Sequence, residues 1–400
     1  MVYITDKIDV AHFNISSQVT VEIECDEHIN QLDIRPLKHG IKPHINGKKA
    51  MFTIDKAVKL SIEVNKNPEE ALFLFADEPE HDKPDPKEPN VYYLKSGMVY
   101  DMGQWTIDKD NVTVYIEKGA VLQARLWIKK ADNVKILGQG IIDGRKYDGS
   151  VRIINSSNVV YSGPLVFNDG NWTNGIYISN GVEISNIKSV STGRYSDAID
   201  LLAANNVKID DVFLKSDDDC ITLKLNKFDY AGNTENILVQ NSVIYNGIPG
   251  KALTVGAELE SDYLKNVTFK NIDIIHVFTD NNNKLNRAAI CIYHDGKSVV
   301  ENITFENITV ENTDGHLFYF DVIKGKNTYG SGGGPTRNIY VKNINYIGES
   351  RPTSVIRGND EVQIESLVFE NIFYQGKKID GIDAAIDANM SIEYADVTWK

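Results

Sequence analysis

Cysteine is scarce: Cys25, Cys220 and Cys291 are the only three in 400 residues. None has metal-ligand spacing, and an odd count argues against a disulfide framework. That usage is compatible with a reducing compartment without requiring one. Long apolar runs are missing, and no stretch approaches the roughly 20 residues that a membrane span needs. The opening segment, MVYITDKIDV, has neither a basic region nor an apolar core, so no secretory leader is legible in it. A cytoplasmic protein is expected, or a secreted one whose leader has been removed. Positive charge is also in short supply. The net charge is −14, and no run of Lys or Arg forms a stripe. Nucleic acid and membrane are therefore not expected partners. An acidic sugar polymer stays open, because a local basic pocket can hold one. Heptads and sustained helical periodicity are absent, which removes bundles and coiled coils. Nothing in the sequence fixes an oligomeric state.

What is present is strand. Residues 1 to about 76 carry the segments QVTVEIEC, QLDIRP, AMFTID, KLSIEVN and ALFLFA. Alternation with period two, broken by Asn, Gly and Pro, predicts short antiparallel strands. A small β-sandwich is their natural assembly. DEPEHDKPDPKEPN follows at residues 77–90. Proline among charges cannot continue a helix or a central strand, so this stretch reads as a linker. The expected organisation is an N-terminal sandwich with its linker over 1–90 and a second domain over 91–400.

In the second domain a phrase recurs: Asn, Val or Ile, then two apolar positions in strand alternation. It starts at Asn111, Asn133, Asn158, Asn206, Asn236, Asn266, Asn302 and Asn338, with degenerate copies at Gly181 and Ser366. Successive starts lie 22, 25, 23, 25, 30, 30, 36, 36 and 28 residues apart. One such unit cannot bury its apolar face alone and must stack on its neighbours. The expected fold is all-β, a right-handed parallel β-helix, with strands about 4.8 Å apart from coil to coil. Asn suits the tight bends, since it tolerates left-handed backbone, and stacked Asn side chains can bond up the stack. A short helix is expected to cap the first coil within residues 95–110.

Chemistry concentrates in RYSDAIDLLAANNVKIDDVFLKSDDDCITLK, residues 194–224. Three consecutive carboxylates, Asp217, Asp218 and Asp219, repel one another, and packing gives no reason for them. Asp197 precedes Asp218 by 21 residues and Asp219 by 22, which is about one coil. Residues one coil apart stand above one another, so Asp197 is expected beside the later pair. Clustered carboxyls push each other's pKa values apart, leaving one protonated as an acid and another ionised as a base. Glycoside hydrolysis uses that division, and a coil-to-coil offset favours the wider spacing that gives inversion. A solvated acidic turn and a calcium site are the alternatives. The calcium version leads to a polysaccharide lyase.

The same residues carry a family likeness. SDAID and NNVKIDDVFLKSDDDCITLK resemble the Asn-Thr-Asp and Asp-Asp-Cys blocks of the polygalacturonases, glycoside hydrolase family 28. They are also similar to the dextranase and isopullulanase group, family 49. The likeness runs from about residue 91 to 375. It implies a parallel β-helix, an inverting hydrolase, and a polysaccharide or oligosaccharide substrate, with no metal or organic cofactor. Asp218 then resembles the general acid, and Asp197 and Asp219 the pair that activates water. Two motifs depart. Gly250-Lys251-Ala252 stands where polygalacturonases have Gly-His-Gly, and the region of Arg287 holds no clean Arg-Ile-Lys. A neutral α-glucan is therefore an alternative substrate, and a non-catalytic glycan-binding β-helix an alternative role.

Further substrate contacts are expected around this set. Lys224 follows the aspartates on a strand, Lys251 takes the place of the family histidine, and Arg287 and His294 come one coil later. Glu258 lies at a strand end. Trp172 and Tyr195 sit on loops before the acids and offer apolar faces to sugar rings. Cys220 is expected to point into the core as a small hydrophobe.

Overall fold

The computed structural model describes residues 2–4, 8–81, 83–279 and 286–400. The chain forms two compact units, Met1–Lys83 and Pro84–Lys400.

The N-terminal unit has two sheets. One holds Val2–Ile4, Asp9–Asn14, Leu72–Asp77, Val58–Val64 and Leu32–Arg35; the other holds Val19–Glu24, Lys49–Ile54 and His44–Asn46. Both sheets contribute to one core, in which Leu60, Ile34 and Leu74 meet Phe52 and Ile54. All five segments anticipated from alternation are strands. The strictly antiparallel expectation needs one correction, because Asp9–Asn14 runs parallel to Leu72–Asp77. The chain between them passes through the second sheet, which supplies the long crossover that parallel pairing requires.

The C-terminal unit is a parallel β-helix with the right-handed crossovers that such connections adopt. Its strands form one system of 28. Three strand rows recur from coil to coil. The row that matters for function runs through Val151–Ile154, Asn174–Tyr177, Ile199–Leu202, Ile221–Lys224, Leu253–Gly256 and Ala288–His294, each paired in parallel with the next. Alternate residues of these strands, such as Ile199, Leu201, Ile221, Leu223, Leu253 and Val255, fill the interior. Cys220 lies in that interior too. The helix expected within 95–110 is absent. Val99–Ile107 is a strand, paired with Val121–Lys129, and its Tyr100 and Trp105 both pack on the core because a bulge between Asp101 and Gly103 resets the alternation. The one α-helix among the described residues is Ile382–Asp387, near the opposite end.

The recurrent asparagines make a ladder. Asn133, Asn158, Asn236, Asn266, Asn302 and Asn338 each donate from Nδ2 to the Oδ1 of the asparagine one coil below, at 2.9–3.3 Å. Each has a positive φ near 55°, where Asn costs less than other residues with a Cβ. At the degenerate Gly181 a Cβ would stand 3.1 Å from Asn158 Oδ1. A second ladder runs through Asn241, Asn271, Asn307, Asn343 and Asn371. Asn266 both donates to Asn236 and accepts from Asn302. Asn266→Ala should therefore cost about 2 kcal/mol, from two lost bonds and a left-handed alanine. A urea midpoint unchanged from wild type would contradict this role.

Candidate active site

Strand alternation sets the floor of the site. With Ile199, Leu201, Ile221 and Leu223 turned inward, Asp200, Thr222 and Lys224 face outward. Just before these strands the chain continues the same register. The Ala198 amide donates to the Asp219 carbonyl at 2.8 Å, and the Cys220 amide to the Lys251 carbonyl at 2.9 Å. Asp197, Asp219 and Lys251 thus occupy one position in three successive coils. The winding that the 22-residue spacing implies is what brings the acids together.

The three consecutive aspartates have different surroundings. Asp217 is tied into the turn by the Gly193 amide at 2.7 Å and by the Lys215 ammonium. Asp218 accepts the Tyr195 and Asp219 amides at 2.9 and 3.1 Å. Asp219 receives both the Lys251 amide and the Lys251 ammonium on Oδ1, each at 2.9 Å. Asp197 lies 3.4 Å from the Lys224 ammonium. Burial lifts Asp197 to about 7, against the pull of Lys224 and aided by the charges of Asp219 and Asp218. Burial and then Asp219 also raise Asp218.

Lys224 is the hub of a buried charge cluster. Its ammonium lies 3.4, 3.3 and 3.4 Å from Asp197, Asp200 and Glu258, and 3.9 Å from the centre of the Trp172 ring. Desolvation disfavours its charge, yet the three carboxyls hold its pKa well above the ordinary value. Asp200 is fully enclosed, and burial keeps its carboxyl protonated far above the usual range. Both Lys251 and Lys224 therefore remain cationic at neutral pH.

A cleft of about 650 Å³ opens over this floor. It is lined by Asp197, Asp218, Asp219, Lys224, Lys251, Glu258, Trp172, Tyr195 and Arg287. One expected contact is corrected. His294 is completely buried, with Nδ1 2.7 Å from Thr336 Oγ1 and Nε2 3.3 Å from Ser298 Oγ. Period two explains it. In ICIYH, Ile290 and Ile292 turn inward and His294 follows them, while Tyr293 faces the cleft. Burial drops His294 to about 4, so it stays neutral inside the fold. Tyr195 is 56% exposed and fixes Asp218 through its backbone amide, with Arg194 over its ring.

Several lining residues had no signal in the sequence: Arg194, Lys227, Phe228, Tyr293 and Tyr329. Asp200 had one, since its place between two inward residues puts it on the floor. A larger depression of about 840 Å³ on the N-terminal unit is lined by Lys38, Lys42 and Lys56, with Asp55 as its only carboxylate. It cannot supply an acid and a base.

Residues 106–388 match the model of glycosyl hydrolases family 28. The chain belongs to that family. Among curated family 28 relatives, a probable exopolygalacturonase B of Aspergillus niger is 24% identical over 49% of this chain and 49% of its own. An endo-xylogalacturonan hydrolase A of Aspergillus tubingensis is 26% identical over 57% of this chain and 60% of its own. The chain thus spans about half the length of the curated relatives it matches. Among solved structures, Dex49A from Penicillium minioluteum superposes with a TM-score of 0.63 at 15% identity, over 98% of this chain and 83% of that one. A family 28 exopolygalacturonase of Yersinia enterocolitica gives 0.54 at 12% identity, over 96% and 97%. These structural likenesses establish a shared fold.

Proposed function

We propose that the chain hydrolyses α-glycosidic bonds, with inversion, in a polysaccharide that bears carboxylates. The observation that carries this reading is the convergence of Asp197, Asp218 and Asp219 on one cleft from two successive coils. Asp218 has no cation within ion-pair distance among the described residues and keeps its proton for the leaving oxygen. Asp219, held by Lys251, and Asp197, beside Lys224, orient and deprotonate the water. Lys251 here does its work through Asp219, which gives a physical role to the residue that replaces the family histidine.

Substrate charge follows from the arginines. Among the described residues neither Arg194 nor Arg287 has a carboxylate partner, although both line the cleft. Unpaired guanidinium groups match carboxylates in a fork geometry. A uronate polymer of the kind the polygalacturonase relatives are named for fits better than a neutral glucan. The lyase alternative fits less well, because it needs a neutral amine as base and Asp219 holds Lys251 above its ordinary pKa.

A panel of pectic, dextran, pullulan and arabinan substrates with reducing-end detection tests the reading. Only uronate polymers should be cut, without an unsaturated, UV-absorbing product. Cleavage of dextran with pectic chains inert would reverse the substrate assignment. The pH profile provides a second check. Asp197 and Asp218 hold protons longer than free carboxyls do, and their interaction makes them titrate as a set. Asp197 must be ionised to take the water proton, so kcat should rise as the pH approaches about 7, and it should fall at higher pH once Asp218 loses the proton it must donate. A rate still climbing at about pH 9 would remove Asp218 as the acid.

A further inference from the structure

Among the described residues the two walls of the cleft touch on one side of the acids. Trp172 belongs to the loop that precedes the floor strand Asn174–Tyr177, two coils before Ile221–Lys224. Phe228 belongs to the opposite wall, at the turn of a hairpin that pairs Asn226–Lys227 with Tyr230–Ala231. Their rings meet edge to face, 5.2 Å apart at 61°, directly above the Lys224 ammonium that Trp172 covers. The bridge is backed from below. Tyr177 lies 6.0 Å from Trp172 and 5.4 Å from Tyr230, and the buried Arg152 guanidinium binds the Trp172 carbonyl. The hairpin is anchored in turn, since the Lys227 ammonium contacts Glu258. On the C-terminal side of the acids there is no equivalent. Among the described residues no hydrogen bond, ion pair or ring contact joins the wall of Arg287 to the wall of Tyr293 and Tyr329.

A groove closed at one end admits a polymer only by its end. We propose that the Trp172–Phe228 bridge makes this enzyme cut from a chain terminus, with the terminal sugars lodged between the bridge and Asp218 and the rest of the polymer leaving over Arg287. The inference rests on the hydrolase reading and adds its mode of action. Bridge geometry sets the length of the released product, which should be short and uniform.

The test follows products by size and polymer viscosity together, using the full chain and polygalacturonate, or whichever polymer of the panel is cut. Wild type should release one short product from the earliest time point, with viscosity falling slowly against reducing ends. Phe228 is 66% exposed, so Phe228→Ala should fold and melt like wild type. It should open the groove and yield a mixture of lengths, with a steeper viscosity drop per bond cut. Phe228→Ala combined with Trp172→Ala should broaden the mixture further. An early ladder of products from wild type would overturn the proposal while leaving hydrolysis intact. So would an unchanged single product from the double variant. A folded wild type that cuts no polymer would remove the hydrolase reading and this inference with it.

Discussion

Asp218→Asn should lower kcat about 10²–10⁴-fold, the range expected when a general acid is lost, and leave the melting temperature within a degree or so of wild type. The asymmetry follows from the surroundings. Asp218 makes no ion pair among the described residues. Its bonds are to the Tyr195 and Asp219 amides, and an asparagine oxygen can still accept one of them. The chemical loss is specific to protonating the leaving oxygen. An aryl glycoside whose phenol departs without a proton should therefore recover much of the rate in Asp218→Asn. The same substrate should not rescue Asp197→Asn, where the missing function lies on the water side. Equal rescue of both variants would show that the roles are wrongly divided, and near-wild-type turnover of the natural polymer by Asp218→Asn would end the assignment.

Lys224→Met should destabilise the fold by about 3–5 kcal/mol at neutral pH, the cost of leaving buried charge unpaired. Three carboxyls, Asp197, Asp200 and Glu258, share this one ammonium at 3.3–3.4 Å, and Lys224 is almost wholly buried. The pH dependence gives the mechanism away. Asp197 and Asp200 already have folded-state pKa values above those of an unfolded chain. Such carboxyls favour the folded state fully below about pH 3.9, the unfolded value for Asp, and lose that contribution as pH rises through the folded value, about 7 for Asp197. Removing the ammonium pushes both folded values higher still. The deficit of Lys224→Met against wild type should then be level from about pH 4 to about pH 6 and grow as the pH passes about 7, where wild-type Asp197 ionises and the variant resists it. A deficit independent of pH would mean that Lys224 stabilises by its packing against Trp172 instead of by its charge.

The parts of the site that could be read in advance are those fixed by the winding. Asp197 and Asp219 stand one coil apart because 22 residues complete a circuit there, close to the 25 residues between the repeat starts at Gly181 and Asn206. His294 lies inside because alternation outweighs proximity in sequence: Ile290 and Ile292 already announce which parity faces inward. The expected cap within 95–110 failed for a related reason, since Tyr100 and Trp105 sit among polar residues and weaken the strand signal. The walls were beyond reach. Phe228 and Tyr329 lie on excursions of irregular length, and no local pattern tells where such a loop folds back. Asp200 shows the limit from another side. Its neighbours placed it on the floor, but only coordinates reveal that it shares Lys224 with Asp197.

Coil lengths range from 22 to 36 residues, yet the asparagines of the ladder still meet their counterparts below. The five-residue step from Asn236 to Asn241 repeats at Asn266 and Asn271, Asn302 and Asn307, and Asn338 and Asn343. The added residues have therefore gone elsewhere on the circumference, including the loops that line the cleft. The protein behaves like a keel with replaceable planking: one edge is locked by repetition, and the other is free to be lengthened, shortened or exchanged. Insertions that would ruin an ordinary sheet can here rewrite what is recognised and how far a polymer enters, while the hull beneath keeps its lines.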